Sequence, residues 1–243
     1  MTRLLPVILL ATLGAGIVRA DTGDTNLTGS AILERVHANR ALKDFSLKAR
    51  LFVTRDEALP AEIFVSNTPE ETRTIYQVGD MRLLVVQPVR GKPRFFLRGA
   101  GELAGCALTN RLAGSSFSFY DLGTPFLWWP APKLTGEDRI RGRNCFLLET
   151  EVAGQPYARA KMWIDREYFG LLRAEIFDES GRLVKRFAVT SFKRVGDAWI
   201  PRGLEMADLP AGQTLPAQEK SRLEVYEGEY DAKLPDDLFL PGR

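Results

Sequence analysis

The feature that most constrains this chain is an alternation of apolar and polar side chains at every second residue, repeated along most of its length. Phe45, Leu47, Ala49, Leu51 and Val53 fall on one side of an extended segment, while Ser46, Lys48, Arg50 and Thr54 fall mostly on the other. Successive residues of a strand point to opposite faces, so this is the signature of a sheet with one dry and one wet face. Runs of the same kind occupy residues 61–66, 73–78, 81–87, 94–98, 144–152, 157–165, 171–177, 183–194, 198–206 and 219–226. Gly154-Gln155-Pro156, Glu179-Ser180-Gly181 and Gly196-Asp197 separate some of them, and glycine supplies the positive φ that tight hairpin connections need. About eleven short strands joined in this way predict a mainly β protein built on one antiparallel meander.

A sheet of that size, curled on itself, encloses more volume than its own side chains readily fill, since roughly eight strands is the size at which they just do. A cavity, a plug, or incomplete closure under helical covers must follow. Two segments are available as covers. One is a helix beginning near Thr28 or Ser30, with Ile32, Leu33 and Val36 on one face. The other is residues 99–133, with a glycine-rich start, a short helix expected around residues 103–112, and the aromatic cluster Phe117, Phe119, Tyr120, Phe126, Trp128 and Trp129. No repeat or linker interrupts the chain, so a single domain is expected.

The first twenty residues have the parts of an export signal: Arg3, an apolar stretch over residues 4–18, and the small-x-small site Val18-Arg19-Ala20. Cleavage after Ala20 is expected, leaving residues 21–243 as one domain in the periplasm. Removal of Arg3 and Arg19 turns 33 basic against 31 acidic side chains into 31 against 31. A chain of zero formal charge has no general attraction for nucleic acid. Cys106 and Cys145 are the two cysteines, and in an oxidising compartment one bridge between them can persist, contributing ~4 kcal/mol by restricting the unfolded chain. The alternative open at this point is a small buried Cys145 and a loop thiol at Cys106.

Groups that carry chemistry are few. His37 is the sole histidine and lies on the expected helix, and no second histidine exists to complete a zinc site or to serve a distant nucleophile. Carboxylates occur in the pairs Glu149 and Glu151, Glu224 and Glu227, and Asp236 and Asp237, none in a signature that fixes a separation across a cleft. A phosphate-binding glycine loop is missing, and no metal or cofactor is expected. What the chain does offer is apolar surface. Ala158, Ala160, Met162 and Ile164 share a face of one expected strand, and Leu172, Ala174 and Ile176 share a face of the next. Each alone is an ordinary core position; the set, with the strand count, favours a lined cavity.

From residue 117 onward the order of motifs resembles the outer-membrane lipoprotein-sorting proteins of the LolA-like superfamily. The motifs are Phe117-Ser118-Phe119-Tyr120-Asp121-Leu122, Trp128-Trp129, the stretch from Gly136 through Cys145 to Glu149, Met162-Trp163-Ile164-Asp165, Glu175-Ile176-Phe177-Asp178, and Trp199-Ile200-Pro201 leading to Glu205-Met206-Ala207-Asp208. The resemblance implies a single curved antiparallel sheet forming an unclosed half-barrel covered by short helices. It also implies binding of acyl chains, of lipoproteins in transit to the outer membrane or of another envelope lipid, with an inner-membrane exporter or an outer-membrane acceptor as the partner expected. The Lys-Arg-Pro triplet of the lipoprotein carrier does not occur in this sequence, which leaves the cargo open. Strand parity assigns Phe45, Leu47, Leu51, Phe64, Met162, Ile164, Leu172 and Ile176 to the concave face, and the aromatic cluster puts Phe119, Trp128 and Trp129 at its mouth. The leading expectation is a non-enzymatic periplasmic carrier. An envelope-stress sensor or exporter-associated interaction module of the same fold comes second, and a carboxylate-dependent hydrolase third.

Overall fold

The computed structural model describes residues 27–40, 42–89, 91–209 and 220–241. The expected export signal, and residue 219 at the start of the last expected strand, lie outside these residues. Helix α1 (Gly29–Ala38) begins where Thr28 Oγ1 accepts a hydrogen bond from the Ala31 amide at 3.2 Å, and it buries Ile32, Leu33 and Val36. Gly29 lets the helix start against the chain near residue 132, because a Cβ there would stand 2.2 Å from the Pro132 carbonyl oxygen.

Six strands follow: β1 (Phe45–Phe52), β2 (Ala58–Asn67), β3 (Glu71–Val78), β4 (Met81–Pro88), β5 (Arg94–Leu97) and β6 (Gly101–Leu103). A covering segment then contains 3-10 turns at Gly105–Thr109, Leu112–Gly114 and Pro125–Trp128, and helix α2 (Phe119–Leu122). Seven more strands complete the sheet: β7 (Lys133–Ile140), β8 (Arg143–Glu151), β9 (Arg159–Asp165), β10 (Leu171–Phe177), β11 (Leu183–Val195), β12 (Ala198–Asp208) and β13 (Lys220–Tyr230). The order is β6-β5-β4-β3-β2-β1-β13-β12-β11-β10-β9-β8-β7, every pairing antiparallel. Two meanders are thus joined where β1 pairs with β13, and the covering segment carries the chain from one free edge, β6, to the other, β7.

Among the described residues the sheet has thirteen strands rather than about eleven. The two additional strands are the two edges. β7 has no residue in the buried class and is interrupted by a bulge between Leu134 and Gly136. Charges and a bulge suit an unpaired edge, where they discourage pairing with another chain, and they also erase the alternation by which strands are recognised. The helix expected around residues 103–112 is instead β6 followed by two 3-10 turns, because Gly105 sits at φ 55° and Asn110 is extended.

One face of the sheet carries the main core. Phe45 pairs with Val65, Leu47 with Ile63 and Ala49 with Ala61, all essentially without exposure, while across the other boundary Leu51 pairs with Leu223 and Ala49 with Val225. The same cluster takes in Leu83 and Val85 of β4, Leu148 of β8 and Met162 of β9, together with α1 and the aromatic residues of the cover. Strands from distant parts of the order therefore bend round a shared interior. On the opposite face the final 3-10 turn, Asp236–Phe239, lays Phe239 over Ile75, Leu84 and Val86.

A candidate ligand cavity under an unevenly fastened cover

The cover is held to the sheet most firmly around α2. Ser118 Oγ accepts from the Asp121 amide at 3.2 Å and Asp121 Oδ2 accepts from the Ser118 amide at 2.7 Å, a reciprocal cap written in the sequence as Ser-x-x-Asp. The Asp121 carboxylate has no side-chain exposure, and two groups from the sheet side reach it: Tyr157 donates to Oδ1 at 2.9 Å and Lys185 of β11 to Oδ2 at 2.5 Å. Lys185 also donates to the Ser116 carbonyl at 2.7 Å and lies 3.5 Å from Asp208, which pairs with Arg111 at 2.8 Å. Burial, then the Asp121 charge, pushes the Tyr157 hydroxyl well above its ordinary pKa, so it stays a donor. Below the cap, Ser221 Oγ accepts from the Ser116 amide at 2.8 Å and donates to the Val53 carbonyl at 2.8 Å.

Beyond α2 the attachment changes. Residues 125–130 lie between Thr124 at φ 42° and Ala131 at φ 51°, two non-glycine residues in the left-handed region. His37 of α1 stacks on Trp128 with centroids 3.9 Å apart, and its Nε2 donates to the Leu127 carbonyl at 3.1 Å. That leaves His37 Nδ1 an acceptor without a partner, beside an equally unpartnered Trp128 Nε1. Burial lowers the His37 pKa to about 4, only partly opposed by the bond to Leu127.

Next to this flap lies a cavity of about 550 Å³, within the size range of small-molecule sites. It is lined by Phe95 and Leu103 of the β5–β6 edge, by Leu108 of the first 3-10 turn with Trp128 and Trp129, and by Val152 with the β8–β9 turn. Tyr120 supplies a polar tip within these walls: its hydroxyl accepts from Trp129 Nε1 at 3.2 Å and donates to Gln155 Oε1 at 2.9 Å. Burial raises the pKa of Tyr120, keeping its proton in place.

Phe45, Leu47, Leu51, Met162, Ile164 and Ile176 fall together in the main core as parity requires, each at 1% exposure or less, and none borders this cavity. Phe64 and Leu172 are corrections. Phe64 stands opposite Ser46 and Ile75 and packs near Phe239 on the outer face, since the inward set of β2 is Ala61, Ile63 and Val65. Leu172 joins Cys145 and Trp163 on the outer face, because a bulge between Leu171 and Arg173 turns Leu171 inward in its place. Of the expected mouth residues, Trp128 and Trp129 line the cavity, whereas Phe119 is buried with Phe117 and Phe126 in the interior.

The cysteines do not bond: Cys106 is exposed on the cavity wall, and Cys145 is a free thiol buried on the outer face, its pKa pushed up to about 11 mainly by burial. The sheet separates them. Glu149 lies by Arg159 and Lys161, Glu224 by Arg202 and Arg222, and Glu227 by Lys48, so these carboxylates belong to ion pairs along the strands. Among the described residues no group of histidine, cysteine or acidic side chains is arranged to hold a metal, and no helix is long and apolar enough to cross a membrane. Sequence reasoning missed Asp121, Lys185 and Gln155. The capping spacing pointed to Asp121, but nothing local marks Lys185 as its partner or Gln155 as a cavity residue.

A family model described as an uncharacterized protein matches residues 97–242. No curated protein matches the chain. Among solved structures it is similar to a candidate outer membrane lipoprotein-sorting protein domain from Vibrio parahaemolyticus, with 15% identity and a TM-score of 0.73 over 87% of this chain and 95% of that one. It is also similar to a DUF1329 family protein from Desulfovibrio piger, at 16% identity and a TM-score of 0.68 over 86% of this chain and 94% of the other. A LolA superfamily protein from Nitrosomonas europaea is 20% identical, with a TM-score of 0.61 over 88% of this chain and 98% of its own. At such identities the likeness is one of fold. With the family match running over more than half of its length, the chain belongs to that uncharacterized-protein family, and the backbone it folds into is LolA-like.

Proposed function

We propose that this protein is a periplasmic carrier that holds the apolar chain of a lipid or lipoprotein in the cavity beside Trp128 and Trp129. The observation that carries this reading is the cavity itself: about 550 Å³ beside a flap, walled by Phe95, Leu103, Leu108 and Val152. Each buried CH₂ contributes about 0.8 kcal/mol, so such walls can retain a chain without a covalent or metal anchor. The likeness in fold to a candidate lipoprotein-sorting domain supports the same class of role. The deep face formed by Phe45, Leu47, Leu51, Met162, Ile164 and Ile176 serves here as the floor on which the cover rests, closed to solvent by Phe117, Phe119 and Phe126. Export after cleavage at Ala20 would put the carrier between the two membranes.

The test is a mass spectrum of the organic extract of protein purified without detergent, alongside uptake of a fluorescent fatty acid. Co-purified lipid and saturable uptake are expected, with uptake reduced by Val152→Trp, which puts a larger side chain at the cavity lining. Repeated preparations free of lipid and a protein that takes up no fatty acid would overturn the reading.

A further inference from the structure

We propose that the cavity selects amphiphiles whose head group presents hydrogen-bond acceptors, a carboxylate or a phosphate, and discriminates against cationic ones. This rests on the cavity being the ligand site and adds to it the class of head group.

The argument is the direction of the hydrogen-bond chain in the cavity wall. Trp129 Nε1 can only donate, and it donates to the Tyr120 oxygen. Tyr120 passes its own proton to Gln155 Oε1. The proton of the phenol and one lone pair of the amide oxygen are then committed, and Gln155 still offers both N–H groups of its NH₂. A chain that ends in donors recognises an acceptor, and a ligand group that itself donates would meet N–H facing N–H. Tyr120 is buried and its pKa is raised, so ordinary pH does not reverse the polarity of the chain.

Charge at the rim points the same way. Lys92 and Arg94 border the cavity together with one carboxylate, Glu102, and the Arg94 guanidinium also stacks on Phe96, 5.6 Å from its ring centroid. Two cations against one anion, on a lining that also carries the Gln155 N–H groups, favour an anionic head seated near Gln155 with its chain running along Phe95 and Leu108. Hydrogen bonds between ionised and neutral partners are about twice as strong as neutral ones, which makes an anion preferable to an alcohol.

The experiment compares four probes with one chain length, dodecanoate, dodecyl phosphate, dodecanol and dodecyltrimethylammonium, by calorimetric titration below their micelle concentrations. Dodecanoate and dodecyl phosphate are expected to bind at least about tenfold more tightly than the ammonium probe, with dodecanol between. Gln155→Glu keeps the acceptor for Tyr120 and replaces the donors by a carboxylate, and it should invert the order of anionic and cationic probes. Lys92→Ala with Arg94→Ala, both at exposed positions, should shrink the preference for the anionic probes over dodecanol. Equal affinity for all four probes would overturn the head-group inference and leave the cavity reading standing; an unaltered preference in Gln155→Glu would do the same. If none of the four bound, both would fall.

Discussion

The two ends of the covering segment are fastened in different ways, and the contrast locates where this fold can give. Around residues 115–122 every polar group named above has its partner: Asp121 meets Tyr157, Lys185 and its own cap, and Ser116 is tied through Ser221 to β1's end. Around residues 125–130 the flap is entered and left through left-handed Thr124 and Ala131, and it is tied to α1 by a stacked histidine with an unmatched nitrogen against a tryptophan with another. A buried polar atom without a partner costs about 1–3 kcal/mol, and a left-handed non-glycine residue about 1–2 kcal/mol. Both ends bury comparable aromatic rings, so polar satisfaction rather than apolar area separates a clamp from a flap. The cavity lies beside the flap.

The sharpest way to break the contrast is to remove the clamp. Asp121→Ala leaves Lys185 charged and nearly buried, and since Asp208 still lies near it the expected loss is about 3 kcal/mol, at the lower end for a broken buried pair, read as a shift in the urea midpoint. Replacing both partners, Asp121→Leu with Lys185→Met, should recover most of that loss.

The flap is tested next through pH. His37 has its pKa depressed in the folded state, so the open or unfolded form takes up a proton first. Its contribution is complete above the ordinary histidine pKa of about 6.5 and is lost as pH falls from there toward about 4, reaching roughly 3 kcal/mol. The difference in stability between wild type and His37→Gln, measured across that window, should shrink as the pH falls; a difference independent of pH would mean that His37 is not held neutral against Trp128.

Ser221→Ala is expected to cost about 2 kcal/mol, because it strands the Ser116 amide and the Val53 carbonyl together. Smallest is the relief of strain at the flap's exit. Ala131→Gly should stabilise by about 0.5–1 kcal/mol, the left-handed cost outweighing the extra freedom of glycine in the unfolded chain. The same substitution destabilising the protein would show that Ala131 is not under strain.

The interior strands were legible because each has one dry face, and Leu47 and Leu51 sit where alternation puts them. β7 was not, since an edge strand whose residues nearly all meet solvent has no dry face to announce it. Leu172 was misassigned because one bulge inverts parity for a residue, and a bulge is decided by register with β9 rather than by local sequence. Phe64 was given the inward parity that Ala61, Ile63 and Val65 hold in its strand, and its ring packs on the outer face, where a terminal turn comes back to cover it. The site was less legible than the fold. Trp128 and Trp129 stood out by composition, but Gln155, Leu108 and Phe95 become neighbours only when the chain crosses from β6 to β7, and no spacing in the sequence encodes that crossing.

The most direct test uses the thiol that the cavity already contains. Cys106 is exposed on the cavity wall and Cys145 is buried across the sheet, so alkylation of the native protein reports on the cavity alone. With dodecanoate at saturating concentration, alkylation of Cys106 should slow several-fold and recover in Val152→Trp, where the chain no longer fits. A rate unchanged by ligand would contradict the account, because a chain lying along Leu108 cannot leave Cys106 as open as before.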